Sequence, residues 1–328
     1  MSTAAGGTAR GVNAPLDRIP DIDYRAHPLF TGGGPRPGMS ARLVGYLRYA
    51  GIVGYVVGTR LRQLAGRRRW TERGATPHLD ALRRDGIVPL RLAPPAREAL
   101  LGAAEPYFDQ LAERRRAIPR GRRGYADGQL DTTRESAPEL FAAVERALAD
   151  AGILASVRAY LGSRAEVRKV TVQINDEWDS FWRAPFESRG LPLPDTGFFH
   201  VDNTYGVVKV IVYASEVGAA SGPFSYVPGT NRLRTGLLEG LWLRATDIWI
   251  DVWPANGALL PSLPRALRRR AKFGDDIPPD AEWGRRLLAQ ERVLTSADGD
   301  ALLFDVGGIH RGGLVARGER RILQIMMR

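Results

Sequence analysis

The chain contains four histidines and no cysteine, so any transition-metal site must be built from imidazole and carboxylate groups. His27 is followed by proline in a segment rich in glycine, which makes it a poor ligand candidate. His200 precedes Asp202 by two positions in a segment that predicts a β-strand. Side chains at i and i+2 of a strand project from the same face, so this imidazole and this carboxylate could bind one ion. Alone, a His-x-Asp pair is a weak signal.

His310 is a candidate for the third ligand. It lies between Gly307-Gly308 and Gly312-Gly313, directly after a predicted strand, and glycines allow backbone and ligand to approach closely. Two histidines and one carboxylate form the facial triad that is characteristic of non-haem Fe(II) oxygenases and leaves coordination positions open. We therefore predict His200, Asp202 and His310 as metal ligands. Glu216 and Asp305 are alternative sources of the carboxylate.

The elements that would position these residues are mostly short strands. The 328 residues are 44% hydrophobic and 25% charged, which is typical of a globular protein with one large domain or two average ones. Segments rich in β-branched and aromatic residues predict strands at 169–175, 197–203, 207–217, 222–227, 301–306 and 321–327. Strands that follow one another without helices favour an antiparallel sandwich or barrel. The helical, tryptophan-rich residues 231–297 are predicted to be an insertion in a domain spanning 77–328.

The N-terminal part differs in composition. Residues 1–39 predict a flexible arm, and residues 40–76 a helical extension. The apolar stretch of that extension, Leu43 to Val57, is shorter than the roughly 20 residues that a membrane span needs. Arginines follow it, so peripheral contact with a membrane stays open. No targeting signature is visible, and we expect a cytoplasmic protein.

The net charge of +11 comes almost entirely from arginine. The only lysines are Lys169, Lys209 and Lys272, against 44 arginines. The basic residues are scattered and no nucleic-acid-binding module accompanies them, so we expect weak attraction to anions and no specific nucleic-acid partner. The oligomeric state is not indicated.

The order of these motifs closely resembles the phytanoyl-CoA dioxygenase family of Fe(II)/2-oxoglutarate-dependent oxygenases. The resemblance covers about residues 79–328 and leaves residues 1–76 outside. The segments that carry it are Asp85–Leu90, His200-x-Asp202, Gly222–Arg232, Gly299–Phe304, His310 and Arg321.

The resemblance implies a mainly β fold with flanking helices, whose core is a double-stranded β-helix, or jelly roll. It further implies that Fe(II) binds to His200, Asp202 and His310, that dioxygen is consumed, and that Arg321 binds the distal carboxylate of 2-oxoglutarate. Arg320 competes for that role, because a shift of one residue turns a strand side chain to the other face. The family's spacing favours Arg321. Family members that halogenate lack the carboxylate that Asp202 supplies, so hydroxylation or a related oxidation is expected here.

Two further polar residues are candidates for binding the cosubstrate. Lys209 lies in an otherwise apolar strand of an arginine-rich chain, which indicates that a compact ammonium is needed beside a cosubstrate or substrate carboxylate. Alternatively, its ammonium extends to solvent. Asn175 could bind the cosubstrate or cap a strand end. The aromatic residues between two core strands, Trp178, Phe181, Trp182 and Phe186, form either a substrate lid or a local core.

The expected function is hydroxylation of an aliphatic carbon of a small-molecule metabolite, such as an anionic or carrier-bound one. One alternative is a jelly-roll metal enzyme without 2-oxoglutarate, such as an isomerase or epimerase. The other is a non-catalytic basic binding protein on a vestigial oxygenase fold. The substrate is not readable from the sequence.

Overall fold

A computed structural model describes most of the chain. The described residues are 16, 38–71, 75–120, 122–177, 190, 192–202, 204–232, 238, 240–242, 245–246 and 277–328. Three predictions lie wholly or mostly outside them: the arm at 1–39, the aromatic group from Trp178 to Phe186, and the central part of the insertion.

Within the described part of the chain, five helices precede most of the β structure and a sixth lies between strands; residues 240–242 and 245–246 are also helical. The six are α1 (Met39–Thr71), α2 (Leu79–Asp85), α3 (Pro94–Arg116), α4 (Pro138–Asp150), α5 (Ile153–Leu161) and α6 (Glu282–Gln290). Proline stands in the first turn of α3 and of α4, where its missing N–H costs no helical hydrogen bond.

The described strands form two antiparallel sheets, of six and three strands. The larger has the order β1-β7-β4-β9-β3-β2 and the smaller the order β6-β5-β8. The strands are β1 (Ile87–Leu90), β2 (Gln129–Thr132), β3 (Val167–Asp176), β4 (Val208–Tyr213), β5 (Phe224–Tyr226), β6 (Arg292–Leu294), β7 (Ala301–Asp305), β8 (His310–Gly312) and β9 (Glu319–Met327).

The strand order is that of a jelly roll. From β3 onward the chain passes repeatedly between the two sheets, and a bridge between His200 and His310 adds the segment before β4 to the smaller sheet. Side chains of both sheets meet in one apolar cluster, which includes Phe224 of the smaller sheet and Phe304 of the larger. The predicted fold class, a jelly-roll core with flanking helices, is confirmed.

The other face of the larger sheet packs against helices. Alternate residues of its central strands, such as Val172, Val210 and Ile325, lie in a second cluster with Phe108 of α3 and Phe141 of α4. Burying each such side chain contributes on the order of 1.5–3 kcal/mol to folding. Both faces of β4 and β9 are therefore covered, which explains why these strands are apolar on both sides.

Helix α1 packs against α5 where two glycines meet. A Cβ added to Gly66 would overlap the backbone carbonyl of Gly162, so a larger residue there would push the helices apart. Part of α1 remains exposed to solvent, including Leu43 and Leu47. Among the described helices, none is both long and apolar enough to cross a membrane.

One strand of the smaller sheet lies near the C-terminal end of the predicted insertion. Strand β6 falls within residues 231–297, but it pairs with β5 and belongs to the smaller sheet. It has only three residues, two of them exposed, so no alternation of apolar and polar residues marks it in the sequence.

Candidate metal centre

The three predicted ligands lie together. His200 and His310 exchange two backbone N–H to O bonds of 2.9 Å, which aligns the segment before β4 with the start of β8. Asp202 Oδ1 is 3.5 Å from Nε2 of each histidine. One potential ligand atom from each residue lies within 4.8 Å of the others. Two imidazole nitrogens and one carboxylate oxygen fit a divalent transition metal such as Fe(II).

Backbone carbonyls fix the orientation of both imidazole rings. His200 Nδ1 lies 2.7 Å from the carbonyl oxygen of Phe198, and His310 Nδ1 lies 2.8 Å from that of Gly308. A protonated Nδ1 donates to these oxygens and leaves the lone pair of Nε2 for a metal. Phe198 has a φ of 67°, which makes it the one described residue other than glycine with a positive φ. This backbone conformation costs about 1–2 kcal/mol and is retained at the residue that orients His200.

Gly308 is required by the packing around His310. A Cβ at position 308 would overlap the hydroxyl and ring of Tyr226, which stacks on His310 with an interplanar angle of 12°. The Tyr226 hydroxyl also donates to the carbonyl oxygen of Asp305, at 3.0 Å. Because glycine has no side chain, the backbone at Gly308 can pass close to Tyr226, and the Gly308 carbonyl oxygen reaches His310 Nδ1.

Asp202 forms an ion pair with Lys209, whose Nζ is 2.6 Å from Oδ2. Burial alone would raise the pKa of Asp202, but Lys209 and the imidazoles of His200 and His310 outweigh burial and hold that pKa well below its usual range. The carboxylate is therefore ionised and ready to bind a cation. Burial lowers the pKa of His310, as does the neighbouring His200, so its imidazole stays neutral, as a metal ligand must be.

The predicted orientation of Arg321 is wrong. Its side chain is one-third exposed, bonds Glu319 through Nε at 2.7 Å and lies over Phe108 on the helix-covered face of β9. Arg320, by contrast, is 4% exposed and lines a cavity together with all three candidate metal ligands. Because successive side chains of a strand alternate between faces, the two arginines could not both point inward.

Asn175 lies beside Arg320 but is not among the residues that line the cavity. Its Oδ1 accepts hydrogen bonds from Arg320 Nη2 at 3.0 Å and from Gln173 Nε2 at 2.9 Å. Gln324 Nε2 lies 3.4 Å from Gln173 Oε1 and extends the series of amides. Sequence reasoning missed both glutamines, although Gln173 has the same alternation as Asn175 in β3 and Gln324 the same as Arg320 in β9.

The two alternative carboxylates lie elsewhere. Asp305 accepts hydrogen bonds from the Tyr160 hydroxyl at 2.5 Å and from the Gly307 amide at 2.8 Å. Glu216 lines a separate surface groove. Within the described part of the chain, only His200, Asp202 and His310 group together as a potential metal site.

Two cavities meet at Asp202 and Lys209. The inner cavity, of about 90 Å³, is also lined by Arg320 and by the two histidines. Aromatic and aliphatic side chains complete its wall: Ile211, Tyr213, Phe224, Phe304 and Ile322. The outer cavity, of about 200 Å³, is lined by Lys169, Thr171, Asp202, Thr204, Lys209, Gln324 and Met326.

Comparisons with known proteins give likenesses at the level of fold. No family model and no curated protein matches the chain, so the resemblance to the phytanoyl-CoA dioxygenase family stays a prediction. Among solved structures, AviO1 from Streptomyces viridochromogenes Tue57 has 15% identity and a TM-score of 0.42, covering 77% of this chain and 96% of its own.

Two other solved structures are of proteins that depend on or contain 2-oxoglutarate (alpha ketoglutarate). The non-heme alpha ketoglutarate dependent carbocyclase SnoK from nogalamycin biosynthesis has 15% identity and a TM-score of 0.42, covering 78% of this chain and 84% of its own. EctD from S. alaskensis with 2-oxoglutarate and 5-hydroxyectoine has 14% identity and a TM-score of 0.44, covering 77% and 76%. Because these identities and TM-scores are low, the fold is argued from the strand order and the function from the residues of the site.

Proposed function

We propose that this protein is an Fe(II)- and 2-oxoglutarate-dependent oxygenase that hydroxylates an aliphatic carbon of a small molecule. One observation carries the proposal: a group of two histidines and one carboxylate shares a cavity with the buried cation of Arg320. The triad would bind the metal ion, and the arginine would bind one carboxylate of a dicarboxylate cosubstrate.

His200 and His310 would hold Fe(II) through Nε2, and Asp202 through Oδ1. When bound, the iron supplies the activation of dioxygen that this donor set supports by leaving coordination positions open. The protein's own residues keep the ligands ready. The carbonyls of Phe198 and Gly308 orient the rings, and Lys209 holds the second oxygen of Asp202.

Arg320, in place of Arg321, would bind the distal carboxylate of 2-oxoglutarate. Asn175 Oδ1 and the carbonyl oxygen of Gly313 accept hydrogen bonds from its guanidinium at 3.0 and 3.3 Å and hold it in position. A guanidinium offers two parallel N–H donors to a carboxylate, and burial strengthens this interaction. In this arrangement Asn175 positions Arg320, and the apolar wall of the inner cavity excludes water.

The test is an anaerobic titration of the Fe(II)-loaded protein with 2-oxoglutarate. We expect the visible metal-to-ligand charge-transfer band of the iron–2-oxoglutarate chelate in the wild type and its absence in His310→Ala. A folded, iron-loaded sample without the band would refute the use of 2-oxoglutarate and favour a metal-dependent isomerase or epimerase. A folded sample that binds no divalent metal would refute both and favour a binding protein.

A further inference from the structure

We propose that the outer cavity binds an anionic group of the substrate, a carboxylate or a phosphate, between Lys169 and Lys209. The inference rests on the proposed function and specifies the substrate class. The inner cavity contains the arginine suited to the cosubstrate, whereas the outer cavity lies on the other side of the Asp202–Lys209 pair and contains none. Among the cavities lined by described residues, the outer cavity borders the candidate ligand Asp202 and offers space for a substrate group.

The lysine content of the chain points to this cavity. Only three of the 47 basic residues are lysines, and two of these three, Lys169 and Lys209, line the outer cavity. A lysine ammonium is a compact charge with three donors, whereas a guanidinium is planar and larger. In a chain that uses arginine at nearly every other basic position, two lysines at one cavity indicate a requirement for small cations there.

The strand register brings the two lysines to one row of the larger sheet. Met326 of β9 pairs with Lys169 of β3 on one side and with Lys209 of β4 on the other. Neighbouring strands lie about 4.8 Å apart, so the backbones of the two lysines are separated by roughly 10 Å. Flexible side chains can close that distance on a single anionic group. Met326 provides an apolar contact beneath it.

The same register separates the lysine row from the cosubstrate arginine. Arg320 lies six residues before Met326 on β9, and a strand rises about 3.4 Å per residue, which places the two rows about 20 Å apart. Asp202 borders both cavities. An anion held by the lysines and a carboxylate held by Arg320 would therefore lie on opposite sides of the metal ligand.

Each lysine already contacts a carboxylate without using all its donors. Lys209 Nζ contacts Asp202 at 2.6 Å, and Lys169 Nζ contacts Asp131 at 3.1 Å. Asp131, on β2, also accepts a hydrogen bond from the Thr171 hydroxyl at 2.6 Å, which holds that carboxylate against β3. Each ammonium has three N–H groups, so further donors can face the cavity. A divalent metal bound at Asp202 would add positive charge and favour an anion further.

The experiment measures the binding of hexanoate, inorganic phosphate and neutral 1-hexanol by calorimetry. The protein carries Ni(II) and saturating 2-oxoglutarate, so that the inner cavity is filled. We expect at least one of the two anions to bind at least tenfold more tightly than hexanol. Lys169→Met should weaken that binding at least tenfold, and Lys209→Met should do the same in samples whose metal content is verified. Arg321→Met removes an equal charge from the opposite face of β9 and should change it less than twofold.

Three results would overturn the inference. The first is equal binding of hexanol and both anions, and the second is unchanged anion binding in folded Lys169→Met. The third is anion binding that Arg320→Ala abolishes while Lys169→Met leaves it intact, which would place the anion in the inner cavity. The charge-transfer band tests the proposed function separately. If the band is absent, the same comparison of wild type with Lys169→Met in metal-free protein still decides whether the lysine row binds anions.

Discussion

Replacing each of the two adjacent arginines of β9 by alanine tests which one binds the cosubstrate. Arg320 is 4% exposed, so a carboxylate bound to it would be withdrawn from water. In Arg320→Ala that carboxylate would lose two charge-assisted hydrogen bonds, each contributing about 1.5–3 kcal/mol. The cost of leaving a buried charge unpaired is about 3–5 kcal/mol, so the dissociation constant of 2-oxoglutarate should rise by more than two orders of magnitude.

Arg321→Ala is the matched control, since it removes the same charge one residue away. The Arg321 side chain is 34% exposed and paired with Glu319, and exposed pairs of this kind contribute about 0–1 kcal/mol. We therefore expect no more than a roughly threefold to fivefold change in the dissociation constant. Anaerobic titration of 2-oxoglutarate, followed through the charge-transfer band, measures both variants.

The comparison requires that both variants fold and bind metal. Arg320→Ala also removes the donors that contact Asn175 and the carbonyl oxygen of Gly313, so its melting temperature and iron content must be measured alongside. Arg320→Lys keeps the positive charge but cannot form the bidentate hydrogen bonds of a guanidinium with a carboxylate. This variant should therefore bind 2-oxoglutarate with intermediate affinity. A larger loss of affinity in Arg321→Ala than in folded Arg320→Ala would refute the assignment.

Three further predictions concern the histidine ligands. Gly308→Ala forces Tyr226 away from His310 and should lower the free energy of unfolding by about 1–3 kcal/mol, measured by urea denaturation. Phe198→Asn should be more stable than Phe198→Val, since asparagine tolerates a left-handed backbone and a β-branched residue does not; equal stability would show that this φ is unimportant. The pKa of His310 is lowered in the folded state, so the unfolded state binds more protons and metal-free protein should lose stability as pH falls below about 6.5. His310→Gln should show a shallower pH dependence of the urea midpoint.

The candidate ligands could be predicted from the sequence because the signals that mark them lie close together in the chain. His200 and Asp202 are two residues apart, and glycines flank His310. Segments rich in β-branched residues predicted an antiparallel sandwich or barrel, and the family resemblance alone implied a jelly roll. The short strands β2, β6 and β8 were missed, because three or four residues are too few to show a periodic pattern.

The side-chain direction on β9 was not predictable from hydrophobicity, because helices cover one face of the strand and the smaller sheet covers the other. Apolar residues therefore occur at both alternations, as Ile322 and Leu323 show. Gln324 indicates which face of β9 lines the cavity. It is the one polar residue inside the apolar run, and its alternation is shared by Arg320 and not by Arg321. A polar residue within a strand covered on both faces marks the face that lines a site.

Charge balance connects the two cavities. Among the described residues that line the inner cavity, Asp202 is the single carboxylate, whereas Lys209 and Arg320 are both cations. The lining therefore has one excess positive charge, which a bound divalent metal raises to three and a bound dicarboxylate returns to one. Lys169 and Asp131 cancel each other at the outer cavity. The remaining positive charge lies near the Asp202–Lys209 pair, which both cavities share, so a substrate with one anionic group would bring the assembled site to neutrality. A neutral substrate would leave that charge uncompensated in a partly buried site, which costs free energy.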